Sequence, residues 1–240
     1  MAGRSIRTRG TREKRKLLRK FKSPRASSSG FPPSVVEKIS DFTVRRLSTY
    51  YRILLDLERK SIATISSAKL AELCGVTSAQ VRKDLSYFGN FGTRGLGYQV
   101  EELKTAIESI LGLNRRWTMA LFGAGSLGHA LFFHGGFRED GFFFTHLFDV
   151  DAGKLGEKWE NVEIRSFEDA KRVLKQDPVD IGVIATPPDS AQEVVELLVE
   201  NGVHGILNFA PKQLAVPKDV RLRNVNLAVA LESLSFFLTR

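Results

Sequence analysis

Beyond Pro32-Pro33 the chain changes its hydrophobic rhythm several times. Ile39, Leu47, Tyr50, Tyr51, Leu54 and Leu57 recur near intervals of three and four, which predicts an amphipathic helix over much of 34–59. The stretch "SSAKLAELCGVTSAQVRKDLSYFG" then offers two helix starts. Ser66 or Ser67 can cap the first, Thr77 or Ser78 the second, and Cys74-Gly75-Val76 supplies the turn between them. A helical pattern over 100–113 follows. Next comes an apolar strand (119–122) and a second ending "FFFTHLFDVD", with further strands at 180–185 and 203–208 around a helix at about 190–200. Strands alternating with helices build a parallel sheet. The last segment, "NLAVALESLSFFLTR", is apolar on nearly every side of a helix, with Leu227, Leu231, Leu234 and Leu238 on one stripe.

Two helices joined by a tight turn form a helix-turn-helix layout. On the second helix Val81, Leu85 and Phe88 make an apolar stripe, and the opposite side carries Ala79, Gln80, Arg82, Lys83, Ser86 and Tyr87, with Ser78 at its start. A cationic pair, an amide and hydroxyls are groups that bind phosphates and base edges, although charge alone would equally suit a wet helix face. Glycines 89, 92, 95 and 97 surround Arg94 and predict a small β-wing that displays it to a minor groove. Helix and wing together predict a DNA-binding head.

The strand at 119–122 runs into Gly123-Ala124-Gly125-Ser126-Leu127-Gly128, a GxGxxG turn between strand and helix. Gly123 permits the sharp turn, Gly125 the approach of a pyrophosphate, and Gly128 close packing of helix on strand. Asp149 lies 21 positions beyond Gly128, at the end of the next strand, with Val150 and Asp151 after it. A carboxylate there accepts hydrogen bonds from ribose hydroxyls and repels a 2′-phosphate, favouring NAD(H) over NADP(H). "ATPP" and "NFAP" end later strands and face the same crevice, which makes Thr186, Pro187 and Asn208 candidate lining residues or ordinary loop caps. The fold class expected is α/β: an N-terminal winged helix-turn-helix (33–113), a Rossmann-type domain (114–224) and a C-terminal helix (225–240) exchanged within a homodimer.

Charge changes the picture at one end only. Residues 1–25 hold eleven Lys and Arg against Glu13 alone, a local +10 that exceeds the +9 of the 240-residue chain and leaves the rest at −1. The tail (1–32) reads as a disordered arm, either attracting phosphates or simply solvated. No stretch reaches the roughly 20 apolar residues of a membrane span, which places the protein in the cytoplasm. Cys74 is the single cysteine, and no cluster shows metal-ligand spacing. A dehydrogenase would need an acid–base group beside the cofactor, and His134 is the one candidate.

"AQVRKDLSYFGNFGTRGLGY", "LFGAGSLG", "FDVD" and "GILNFAP" together resemble the Rex family of bacterial redox-sensing repressors, over about 33–237. The resemblance implies a winged helix joined to a Rossmann domain in a homodimer with a swapped C-terminal helix. It also implies binding of palindromic operator DNA when NAD⁺ predominates and release when NADH binds. Two positions depart from the family pattern. His134 stands where a Tyr near the nicotinamide is usual, and Asn226 where an Asp is usual. In the family that Asp pairs in one state with an Arg matching Arg52. With Asn226 only a neutral hydrogen bond of about half the strength is left.

Overall fold

The computed structural model describes residues 39–239 apart from Arg94. The basic tail and Arg94 thus lie outside the described residues. Two compact units divide between Ile107 and Glu108.

In the first unit, α1 (Asp41–Arg59) begins where Ser40 accepts the Thr43 N–H, α2 (Ser67–Cys74) where Ser66 accepts that of Lys69, and α3 (Ser78–Ser86) where Thr77 accepts that of Gln80. Of the paired cap candidates, Ser66 and Thr77 take the role. Gly75 ends α2 in the left-handed region (φ 67°), a conformation that costs a residue with a Cβ. Leu47, Tyr50, Leu54, Leu70, Val81 and Leu85 close the core between the three helices. Thr64–Ile65 (β1) pairs antiparallel with Tyr98–Gln99 (β2), and Thr93 bridges Gly97 beyond them. This is the wing. Gly97 (φ 91°) passes so close to Ile65 that a Cβ would lie 2.5 Å from its carbonyl oxygen. The helix α4 (Val100–Leu111) then runs across the boundary between the units.

The second unit is built on β3 (Trp117–Phe122), β4 (Phe142–Asp149), β5 (Lys158–Trp159), β6 (Val162–Ser166), β7 (Ile181–Ile184), β8 (Gly205–Asn208) and β9 (Arg221–Asn224). They form one seven-stranded sheet in the order β5-β6-β4-β3-β7-β8-β9. All neighbours are parallel except β5 and β6. Without the short β5, the order reverses at β3 in the manner of a doubly wound dinucleotide fold, and a crevice opens at that switch point. Alternation along β3 sends Ala120 and Phe122 to one face, beneath α7 (Ala170–Gln176) and α8 (Pro188–Glu200). Met119 and Leu121 go to the other, with Leu131 and Phe132 of α5 (Ser126–Phe132). A short α6 (Gly135–Glu139) follows α5.

The closing helix α9 (Leu227–Leu238) has no buried residue in the single chain, and Leu231 and Phe237 are 67% and 73% exposed. Among the described residues no helix is long and apolar enough to cross a membrane.

Candidate functional site

On the head, α3 carries its predicted face outward. Arg82 and Lys83 are exposed, Ser86 is exposed with its hydroxyl on the Lys83 carbonyl, and Tyr87 at the C-cap is half-buried. Arg82 Nη1 donates to Ser67 Oγ at 3.0 Å, which steadies the guanidinium against α2. Ser78 opens the helix, and Gln80 is half-buried at its edge.

The wheel missed Asp84. It is 0% exposed and forms the polar centre of the head. Arg46 on α1 reaches it twice, Nε to Oδ2 at 2.6 Å and Nη2 to Oδ1 at 2.7 Å, while the Tyr50 hydroxyl donates to Oδ2 and Gln80 Nε2 to Oδ1, both at 2.8 Å. Burial alone would raise the Asp84 pKa, but the hydrogen bonds from Arg46, Tyr50 and Gln80 and the Arg46 charge outweigh it and hold the carboxyl below its ordinary value. Burial, followed by the hydrogen bond to Asp84, pushes the Tyr50 phenol well above its usual range. These charge-assisted bonds fasten α3 to α1, so the outward face has a fixed base.

In the second unit the glycine turn joins β3 to α5. Gly123 has φ 100°, and a Cβ there would lie 2.6 Å from the Ala185 carbonyl oxygen. At Gly128 a Cβ would collide with the Gly123 carbonyl. Gly125 faces open space, and it caps α5 without a side-chain hydrogen bond, so the leading amides of the helix remain for an incoming group. Ala124 is buried, whereas Ser126 and Leu127 are exposed at the helix start.

Asp149 ends β4 beside this turn. Its Oδ2 accepts the Ala124 N–H at 2.6 Å and its Oδ1 the Asp151 N–H at 2.8 Å, so the carboxylate ties the two loops together. Lys154 Nζ stands 3.7 Å from Asp149 and 3.2 Å from Asp151. This cation was not anticipated, although the i, i+3 spacing of Asp151 and Lys154 was its signal. It offsets part of the negative charge on which NAD(H) selectivity was argued. Val150 is exposed between the two acids.

The loops after β7 and β8 reach the same crevice. Ala185 N–H donates to Phe122 O and Phe209 N–H to Ile184 O, tying successive strand ends together. Thr186 Oγ1 is buried and has no hydrogen-bond partner. Pro187 caps α8 and is exposed. Asn208 is fully buried, and its amide is spent inside the fold: Nδ2 donates to Ala210 O, Lys212 O and Asn224 Oδ1, and Oδ1 accepts from Ala210 N. Of its two expected roles, the loop cap is the one the geometry supports.

His134 is exposed, stacks on Phe137 at 4.8 Å and caps α6 through Nδ1, which accepts the Gly136 N–H. Asn226 caps α9 by accepting the Ala228 N–H. Arg52 is exposed on α1, in the first unit, whereas Asn226 belongs to the second.

The residues present fit a dinucleotide. Glycine removes the side chains that would fill the turn, and Thr186 leaves an unsatisfied hydroxyl beside it. A winged helix-turn-helix followed by a sheet of this strand order defines a transcription regulator of nucleotide-responsive architecture. Residues 38–86 match the family "Putative DNA-binding protein N-terminus", and 114–212 match "CoA binding domain". The chain is 51% identical over 203 residues to a redox-sensing transcriptional repressor Rex of Carboxydothermus hydrogenoformans, covering 85% of this chain and 98% of that protein. To the Rex of Desulfitobacterium hafniense it is 50% identical, covering 83% and 95%. A crystal structure of RSP with β-NAD⁺ and operator DNA is similar at TM-score 0.80 and 38% identity, covering 83% of this chain and 92% of that one. RSP with β-NADH is similar at 0.78 and 37%, covering 84% and 94%. The chain belongs to the Rex family of redox-sensing transcriptional repressors.

Proposed function

We propose that this chain is a cytoplasmic, homodimeric repressor that binds a palindromic operator and releases it when NADH replaces NAD⁺. The observation that carries the reading is the pairing, in one chain, of a rigidly backed α3 with a glycine turn beside the unsatisfied Thr186 hydroxyl. Gly123, Gly125, Gly128 and the α5 amides would hold the pyrophosphate, Asp149 and Asp151 the adenosine ribose, and Thr186 and His134 the region toward the nicotinamide. The bound dinucleotide supplies a ring that loses its positive charge on reduction. A ligand can shift two conformations only by its differential affinity for them, and a coupling of about 1–3 kcal/mol changes DNA affinity roughly 5- to 150-fold.

Ser78, Gln80, Arg82, Lys83, Ser86 and Tyr87 would contact DNA, and Arg94, outside the described residues, would join them as the sequence suggests. The apolar α9 is the dimerisation element, since a helix so exposed in one chain needs cover from a second. His134 is engaged as a helix cap, and the relatives are named as transcriptional repressors, which favours a sensor over a dehydrogenase.

The match of 114–212 to a CoA-binding family favours one further ligand class, another adenine nucleotide in the same crevice. Calorimetric titration with NADH, NAD⁺, ATP and coenzyme A separates the two. The proposal expects NADH to bind most tightly, and preferential binding of coenzyme A would replace it with the second reading. Changing Arg82 and Lys83 together to Ala should weaken operator binding at least ~10-fold and lower its salt slope by about two per protomer, roughly four for the dimer, with NADH affinity unchanged. Undiminished operator affinity would show that α3 is not the contact face.

A further inference from the structure

Gln80 occupies the third position of α3, within the N-terminal stretch of a recognition helix that meets base edges. Its amide has a fixed direction. Nε2 lies 2.8 Å from Asp84 Oδ1, one turn further on, and a carboxylate only accepts, so the NH₂ is the group turned toward Asp84. Asp84 in turn has no freedom to yield, because Arg46 and Tyr50 fill the rest of its hydrogen-bonding capacity from α1. Oε1 of Gln80 accepts no bond from any described residue and is not among the buried unsatisfied atoms. One amide hydrogen is directed at Asp84, which leaves Oε1 and one N–H for a second partner.

With the hydrogen anti to Oε1 on Asp84, Gln80 would present one acceptor and one donor side by side, in an order that an amide flip cannot reverse without turning Oε1 toward the carboxylate. The major-groove edge of adenine is the complement, with the N6 amine as donor beside the N7 acceptor. Guanine sets O6 where the amine stood, so Oε1 would face another acceptor. An unclamped glutamine could turn and donate to that oxygen, which the clamp prevents. We propose that Asp84 is a positioning residue that fixes the Gln80 amide, and that Gln80 so held reads adenine and rejects guanine at one position in the DNA bound by the head. This rests on the reading of α3 as the DNA-contacting helix.

The test uses the full chain. Duplexes enriched from a random-sequence pool define the bound site. Each adenine in it is then replaced in turn by 7-deazaadenine, which lacks N7, by purine, which lacks the amine, and by guanine. At one adenine all three changes should weaken wild-type binding at least ~5-fold, whereas Gln80→Ala should respond less than ~2-fold there while binding NADH as wild type does. If Gln80→Ala keeps the wild-type response at every adenine, the inference is overturned but DNA recognition stands. If no duplex is enriched at all, the reading of the head falls with it.

The clamp is tested by Asp84→Asn, which should reduce the adenine-over-guanine preference below ~2-fold. An unchanged preference would contradict it. Because that substitution also strips the charge from beside Arg46, wild-type side-chain amide NMR gives a second measure that needs no variant. One Gln80 amide proton should exchange slowly and the other fast, and equally fast exchange of both would refute the clamp.

Discussion

The head encloses the Asp84 carboxylate with four donor contacts, whereas the crevice of the second unit leaves the Thr186 hydroxyl with none. Both are polar groups withdrawn from water, and each would cost free energy if left unpaired. The head has met that cost internally, so its outer face is complete without a ligand and ready for a rigid partner. The crevice has not met it at Thr186, whose hydroxyl has no partner among the described residues and is open to an incoming group. Among the described residues the one other buried unsatisfied side-chain atom is Arg115 Nε, and its guanidinium lies 3.4 Å from the centre of the Trp117 ring.

Removing a partner from the saturated side should have the largest effect. Asp84→Ala strands Arg46, Tyr50 and Gln80 and should destabilise the head by about 3–5 kcal/mol, read as an early denaturation step while the second unit keeps its own transition. Acid should act in the same direction. The folded carboxyl titrates below its unfolded value, so the stability it lends is complete above that unfolded value and is lost as pH falls through the folded one. A head that melts no earlier in Asp84→Ala than in wild type would break the comparison.

On the unsaturated side the effects are on binding. Gly123→Ala adds a Cβ 2.6 Å from the Ala185 carbonyl at φ 100°, and should cost at least about 2 kcal/mol of NADH affinity, roughly 30-fold by calorimetry. Thr186→Val is a finer probe. It removes a hydroxyl that has no partner among the described residues, so NADH should bind about 5-fold more weakly while the ligand-free protein melts no earlier, or slightly later. Weaker stability with unchanged NADH affinity would mean that the hydroxyl serves the fold instead. Smallest is Lys154→Ala, which takes a cation from beside Asp149 and Asp151 and should sharpen the preference for NADH over NADPH by no more than about 3-fold. An unaltered ratio would remove Lys154 from the ribose corner.

What could be read in the sequence follows the range of the interactions. The caps Ser66 and Thr77, the Gly75 turn, the GxGxxG turn and the alternating strands are local patterns, and they stand where the spacing put them. The apolar character of α9 was equally plain, since an all-round hydrophobic helix advertises itself. Asp84 was not legible, because on a helical wheel a charged residue beside Lys83 reads as solvent-facing, and its partners Arg46 and Tyr50 lie 38 and 34 positions upstream. The β6 and β9 strands were missed for a related reason. "VEIRS" and "RLRN" at the flanks of the sheet lack the apolar run of the central strands, and only pairing with β4 and β8 makes them strands. Asn208 was legible only as an alternative, lining residue or loop cap, and the choice depends on partners in its own loop and on Asn224 of β9, 16 positions away.

The departures at His134 and Asn226 bear on communication between the crevice and the head. Both side chains act as helix caps, His134 for α6 and Asn226 for α9, through neutral hydrogen bonds. Neither residue carries a formal negative charge, so the Asp–Arg pair that the family resemblance implies for position 226 is not available to this chain. The direct measurement is operator affinity across a series of NADH to NAD⁺ ratios at constant total dinucleotide and salt. Affinity should fall at least ~5-fold as NADH replaces NAD⁺. A flat curve, with both forms bound, would contradict the account and leave a DNA-binding protein that holds a dinucleotide without reading its redox state.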